Sequence, residues 1–266
     1  METKSLISLM LLLQAFINGV NPALPPGQQS SICSKNGDLN SNELLKSRDV
    51  ALDKLKNFEP PYTGDRMTSY QGITAKALCP PKIKMQDCSA CVKETIPTLL
   101  KSCPKQKEGA TWSILPNLYC MVRYADHPKQ GNIAGWAQFS SKPNYPPTNA
   151  TAGELENALN NLANTLKAKV EANSLENYGS GSISYGPGSH STLYGSMQCI
   201  PTISVGDCKK CLSDATNQLH QCCTKSRKLI GRVFSVNCAV WYSHTNFLPK
   251  TFQTISTPSL ANQVIE

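Results

Sequence analysis

Two Cys-x-x-Cys motifs, Cys88-Ser89-Ala90-Cys91 and Cys208-Lys209-Lys210-Cys211, are the residues of this chain whose spacing best suits chemistry. At the start of a helix such a pair can exchange thiols and disulfides, because the helix dipole favours the thiolate of its first cysteine. It can also supply half of a zinc site, with a second pair or histidines completing four ligands. Against both readings stands a further cysteine upstream of each motif, Cys79 and Cys199, with eight residues between, which allows a bridge inside the same unit. The four histidines, His127, His190, His220 and His244, recur at no ligand-like spacing. Both motifs therefore read as structural, with no metal or cofactor.

Other catalytic signals are weak. The sequence has no Gly-x-Ser-x-Gly elbow, no phosphate-cradling loop opening a helix and no His-Glu-x-x-His. Carboxylate pairs for glycoside hydrolysis can be assembled from Glu43, Asp65, Asp87 or Asp126, but any chain offers such pairs. Only Asp87 recurs, as Asp207, each just ahead of a Cys-x-x-Cys, where an acidic residue serves a helix N-terminus as a cap. The chain is expected not to be an enzyme.

The 12 cysteines fall into two sets, at 33, 79, 88, 91, 103 and 120, then at 199, 208, 211, 222, 223 and 238. Cys79, Cys88, Cys91 and Cys103 each reappear 120 residues later, and Cys120 reappears as Cys238. Asp87-Cys88 matches Asp207-Cys208, and Cys120-x-x-x-Tyr124 matches Cys238-x-x-x-Tyr242. The chain is thus a tandem of two homologous units. Its 266 residues suit one large or two small domains, and 40% hydrophobic content excludes a disordered chain.

The compartment follows from the N-terminus. Leu6 to Leu13 is apolar apart from Ser8, behind a short segment carrying Lys4, so residues 1–20 read as a secretory signal peptide cleaved near Gly19. A run this short cannot span a bilayer, and no later window suggests a membrane helix. An exported chain makes an even cysteine count a disulfide framework. Asn21 to Ser31 reads as a flexible leader and 141–148, with three prolines, as a linker. The expected domains are 26–140 and 149–248, followed by a polar tail, 249–266. Asn149-Ala150-Thr151 is a glycosylation sequon at the start of the second domain.

Leu155, Leu159, Leu162, Leu166 and Val170 form one stripe of an amphipathic helix, opened by a Thr151/Glu154 capping box. Leu45, Leu52, Leu55 and Phe58 outline a weaker counterpart stopped by Pro60-Pro61. A second helix per unit begins at each Cys-x-x-Cys, running through Ile96, Leu99 and Leu100, or Leu212, Ala215 and Leu219; Pro97 threatens the first beyond its opening turn. Strands are expected at Thr111–Leu115, Leu118–Tyr124, Tyr194–Cys199 and Arg232–Tyr242, with the Gly/Ser-rich 179–188 as a flexible turn. Helices with antiparallel strands make each unit α+β.

The doubled Cys-x8-Cys-x2-Cys, Tyr194-Gly195-Ser196-Met197-Gln198-Cys199, the Cys222-Cys223 pair and Gly231-Arg232-Val233 together resemble the plant cysteine-rich repeat secretory proteins, tandems of the ginkbilobin-like or stress-antifungal domain. The resemblance covers essentially the whole mature chain. It implies two helices on a five-stranded antiparallel sheet per domain, and bridges Cys33–Cys103, Cys79–Cys88 and Cys91–Cys120. Cys199–Cys208 and Cys211–Cys238 transfer by position. Cys223 matches Cys103 but lacks a counterpart of Cys33, so Cys222 and Cys223 form a vicinal bridge, two thiols or a link to another chain. The resemblance also implies a mannose site made of Asn just after the first cysteine, Arg six before the last and Glu five after it. Here those places hold Ser34, Ile114 and Ala125 in the first unit, then Arg232 and Ser243 in the second. Only Arg232 remains, expected to pair with a carboxylate or lie along its strand as a solvated edge residue.

The net charge of +8 divides unequally: 26–146 carries 16 basic and 10 acidic residues, 147–247 carries 8 and 6. Lys76, Lys82, Lys84, Lys93, Lys101, Lys105 and Lys107 surround the first cysteine motif, a candidate patch for polyanions or anionic membranes. Nucleic acid does not suit an exported chain. Two functions fit: an apoplastic defence or stress-response protein that binds cell-wall or microbial carbohydrate, or an extracellular protein-interaction module in signalling with no sugar ligand.

Overall fold

A computed structural model describes residues 27–56, 64–81, 83–115, 118–126, 135–140, 149–173, 176–186 and 191–248. The signal peptide, the linker and the tail expected from the sequence lie outside the described residues, as do Phe58 and Pro60-Pro61. Elements follow in the order β1 (Gln28–Cys33), α1 (Asn42–Asp53), β2 (Asp65–Tyr70), β3 (Ile73–Leu78), α2 (Met85–Ser102), β4 (Glu108–Leu115), β5 (Leu118–Asp126) and β6 (Ala137–Ser140). They continue with α3 (Ala152–Ala172), β7 (Tyr178–Tyr185), β8 (Ser191–Cys199), α4 (Val205–Leu219), β9 (Ile230–Phe234) and β10 (Cys238–Ser243). Two antiparallel five-stranded sheets result, ordered β1-β4-β5-β3-β2 and β6-β9-β10-β8-β7. Each carries two helices, so the fold is the expected α+β tandem.

Helix α3 forms as its stripe dictates. Leu155, Leu159, Leu162, Leu166 and Val170 are all buried, and Thr151 with Glu154 closes a reciprocal capping box. Helix α1 buries Leu52, and a 3-10 turn, Lys54–Lys56, adds Leu55. Helix α2 begins three residues before Cys88 and continues through Pro97 to Ser102. Burial of Ile96 and Leu99 on either side holds the helix over the one backbone bond that proline cannot make.

Four expectations change. The flexible leader ends as strand β1, whose polar side chains on the α2 side bond across to β4: Gln29 Nε2 donates to Ser113 Oγ at 2.8 Å, and Ser31 meets Thr111 at 2.7 Å. The Gly/Ser run is not a flexible turn, because Tyr178–Tyr185 pairs with β8 over its whole length. Its small residues let α3 lie close: a Cβ on Gly179 would stand 2.6 Å from the Leu166 carbonyl, and one on Gly195 2.8 Å from Leu162 Cδ2. The long strand expected over Arg232–Tyr242 is two strands, turned by Ser235, whose Oγ accepts from the N–H groups of Asn237 and Cys238 at 3.1 Å each. Finally, β6 falls inside the first domain as the sequence divides it, yet pairs with β9 of the second sheet.

The helix-free faces of the two sheets pack on each other. Trp112, Ile114, Tyr119 and Met121 of the first meet Phe139, Phe234, Ala239 and Trp241 of the second in one buried cluster. The Tyr119 ring lies 5.0 Å from Phe234 and edge-on to Trp241 at 6.3 Å. The Tyr119 hydroxyl donates to Gln198 Oε1, and Gln198 Nε2 donates to the Cys79 carbonyl at 3.1 Å. One buried amide thus satisfies a phenol and a backbone carbonyl of the other unit.

Candidate binding site

In the first unit Cys33 joins Cys103, Cys79 joins Cys88 and Cys91 joins Cys120; in the second, Cys199 joins Cys208 and Cys211 joins Cys238. Each Cys-x-x-Cys opens a helix as expected, but its two cysteines bridge outward to different segments, one at the end of β3 or β8 and one in β5 or β10, which leaves neither available for exchange or metal. Cys222 and Cys223 are bonded to each other within a π-helical turn, His220–Thr224, that ends α4. Among the described residues no thiol is free and no group of three or more metal-ligating side chains forms.

Strand register shows what replaced the missing bridge. Cys33 lies opposite Gly109, which lies opposite Tyr124; Ser140 lies opposite Gly231, which lies opposite Tyr242. Ser140 therefore occupies the place of Cys33. Both tyrosines are buried and donate to backbone carbonyls in the segment behind the helix, Tyr124 to Cys103 and Gln106, Tyr242 to Lys228.

The same register corrects one equivalence. Counting back from the last cysteine aligns Ile114 with Arg232, but β4 and β5 form a longer hairpin than β9 and β10. Arg232 follows Gly231 as Ala110 follows Gly109, so Ala110 is its counterpart, and Trp241 that of Arg123. Where the first sheet pairs Ala110 with Arg123, the second pairs Arg232 with Trp241.

Arg232 is not a solvated edge residue. It lies on β9 between β6 and β10, is 8% exposed, and stacks its guanidinium 4.3 Å from the centroid of the Trp241 ring. No carboxylate pairs with it among the described residues, its Nε has no partner, and burial pulls its pKa down to about 10. Trp241 in turn stacks on Phe247 with centroids 3.9 Å apart. Ser243 is 3% exposed and accepts from the Thr245 N–H, while Ser34 is 8% exposed and caps a turn at Asn36. None of these positions offers an open cup to a sugar.

Arg123 answers Arg232 in the first unit. It is 6% exposed, and Glu108 Oε2 stands 3.8 Å from its Nη2. Burial pushes the Glu108 pKa up against the opposing pull of Arg123, and pulls the Arg123 pKa down. The carboxylates singled out from the sequence do not assemble. Asp65 and Asp126 sit at opposite ends of β3, opposite Leu78 and Ile73, roughly 17 Å apart along the strand. Glu43 and Asp87 stand in the first turns of different helices. Asp207 supports a cap rather than making it: Ser204 Oγ accepts from the Asp207 N–H at 3.1 Å and donates to its carboxylate at 2.7 Å.

Nor do the lysines make one patch. Lys84, Lys93 and Lys101 are spread along α2, a helix roughly 27 Å long, with Lys105 exposed beyond it. Lys76 is on the other face of the sheet, and Lys82 lies outside the described residues. Asn149 is exposed two residues before the α3 cap, Thr151. Tyr119 carries no motif, and Gln198 lies in the segment before Cys199 with no role legible there; their pairing across the units gives both a role.

The chain matches the model of the salt stress response/antifungal family twice, over residues 31–127 and 140–245. It is 28% identical over 240 residues to an antimicrobial ginkbilobin-2-like protein of Castanea crenata, covering 87% of this chain and 92% of that one. It is also 28% identical over 204 residues to cysteine-rich receptor-like protein kinase 11 of Arabidopsis thaliana, covering 70% of this chain and 28% of the kinase. The chain therefore spans less than a third of that receptor-like relative. In fold it is similar to the crystal structure of the tandem DUF26 ectodomain of the Arabidopsis thaliana cysteine-rich receptor-like protein PDLP8, with a TM-score of 0.54 and 15% identity over 80% of this chain and 96% of that one. No helix among the described residues is long and apolar enough to cross a membrane.

Proposed function

This chain belongs to the salt stress response/antifungal family, and from that premise we propose that it is a secreted, non-enzymatic recognition protein acting outside the plant cell in defence or stress response. The observation that carries this reading is the match to the ginkbilobin-2-like antimicrobial protein along nearly that relative's whole length, with both units present. The kinase relatives support a non-catalytic role as well, because the part they share with this chain is a minor fraction of their length. Residues 1–20 act as the export signal, and Asn149 is the glycan acceptor of the exported chain.

A second reading, a protein-interaction module without a sugar ligand, is favoured by the burial of Arg232 and Ser243. A site that holds sugar hydroxyls needs exposed donors and acceptors, and these two side chains are committed to Trp241 and to a local turn. Fungal growth inhibition measured beside a glycan array separates the two. Inhibition with saturable glycan binding supports a carbohydrate-binding defence protein; inhibition without it, or silence on both, supports a protein partner.

A further inference from the structure

Between the two units their shared apolar layer opens to water as a cleft of about 80 Å³. Lys76 and Leu78 of β3 and Met121 of β5 form one wall, and Ile200, Pro201 and Thr202, just after β8, form the other. Lys76 and Leu78 are two residues apart and so share a face, the one turned to the second unit. Leu78, Met121 and Ile200 belong to the buried cluster between the sheets, so the floor is a continuation of that core. The volume is about half that of a ~150 Å³ cavity able to take up benzene, and the cleft is open at one end, so a small apolar body fits with its far end in solvent.

The charged residues that line this cleft are Asp65, Arg66 and Lys76. Lys76 is half-buried, and its Nζ donates to Thr202 Oγ1 at 3.1 Å, linking the two walls. Opposite it on β5, behind the cleft lining, stands Arg123, with Glu108 at 3.8 Å and an Nε that has no partner. Burial and the neighbouring Arg123 hold the Lys76 pKa below its ordinary value, with Asp65 opposing. A half-buried lysine such as Lys76 gains more from an added anion than an exposed lysine does. Asp65, on the other flank, keeps a second negative charge out, which limits the ligand to a single one.

We infer that this interdomain cleft binds a small organic monocarboxylate, its aliphatic or aromatic body against Leu78, Met121 and Ile200 and its carboxylate accepting hydrogen bonds from Lys76 Nζ and Thr202 Oγ1. The inference goes beyond the family-level reading and stands or falls without it. Benzoate and hexanoate, with benzyl alcohol and hexanol as neutral counterparts, are titrated into the full, ¹⁵N-labelled, disulfide-bonded chain. The expected result is one saturable set of amide shifts at Lys76, Leu78 and 200–202, with the acids bound about tenfold tighter than the alcohols. Lys76→Met abolishes that preference while leaving the weak binding of the alcohols; Ile200→Trp, which fills the cleft, removes both; Lys84→Met, on α2, changes neither. Amide dispersion verifies that each variant folds, and Lys76→Gln replaces Lys76→Met should the latter not. Shifts scattered over exposed lysines, no saturable shift at the named amides, or an unchanged preference in the Lys76 variants would overturn the assignment.

Discussion

The first unit fastens its edge strand β1 with a covalent bridge from Cys33 to Cys103, closing 70 residues, whereas the second holds the equivalent strand β6 by backbone pairing to β9, with Gln138 bonded to Gln218 at 2.8 Å. In place of the long bridge the second unit has Cys222–Cys223, which closes no loop. Topology and register are the same in both, down to the tyrosine opposite a glycine. The staple and the fold are therefore separable: sheet pairing and core packing specify the architecture, and the bridge sets how firmly one edge of it is held.

Breaking the bridges tests this most severely. In the chain-entropy picture Cys33–Cys103 contributes about 4 kcal/mol and a vicinal bridge roughly 1. Cys33→Ser with Cys103→Ser should lower the unfolding free energy of the first unit by about 4 kcal/mol, while Cys222→Ser with Cys223→Ser should cost the second far less. Hydrogen exchange resolved by peptide reads each unit separately. Equal losses would mean that the adjacent pair stabilises by some route other than loop closure.

The complementary change restores the missing staple. With Cys222→Ser and Ser140→Cys, the only partner offered to Cys223 is a cysteine in the register position of Cys33. A bridge of comparable loop length should form and stabilise the second unit by roughly 2–4 kcal/mol, seen as a 140–223 cross-linked peptide and slower exchange in β6. A free thiol at 140 in the folded chain would show that the matching register does not bring the two side chains together.

Gln198 bears on a different part of the comparison, the layer where the units meet. Gln198→Ala removes the amide that accepts from the Tyr119 hydroxyl and donates to the Cys79 carbonyl in a buried layer, at a cost of roughly 1–3 kcal/mol. The loss falls on both units, so calorimetry should show two transitions drawing apart, the second unit melting first. A single transition, merely shifted, would indicate that the apolar cluster alone couples them.

What the sequence revealed and what it hid can be explained residue by residue. The cysteine repeat exposed the tandem because bridge geometry tolerates little change in spacing, and the leucine stripe exposed α3 because 3.6-residue periodicity survives in any amphipathic helix. Strand β7 was hidden because its glycines serve close packing against α3, which local composition cannot distinguish from a turn. Strand β1 was hidden because its side chains are polar and bond to Ser113, Thr111 and Thr98 of neighbouring elements, so it carries no apolar alternation. For Arg232 the motif revealed the residue, but the hairpin difference of several residues hid its counterpart Ala110, and its burial depends on Trp241 and the sheet-to-sheet layer, which lie in no local pattern.

Acidity should separate the units more gently than any substitution, and in opposite directions. Among the described residues histidine occurs only in the second, where burial lowers the pKa of both His220 and His244, against the pull of Glu156 on the first and of the Leu229 carbonyl on the second. A depressed histidine pKa means that the folded state binds fewer protons than the unfolded chain. Their contribution is complete above the unfolded value of about 6.5 and is lost as pH falls through the folded values. Glu108 in the first unit has the opposite sign: burial raises its pKa, so its contribution is complete below the unfolded carboxylate range and is lost as pH rises through the folded value. Lowering the pH from about 7 to about 5 should therefore speed exchange in the second unit while leaving the first unchanged or slightly slower, after correction for intrinsic exchange rates. If the first unit loosened as much as the second, the histidines would not be the cause, and the asymmetry between the units would rest on their bridges alone.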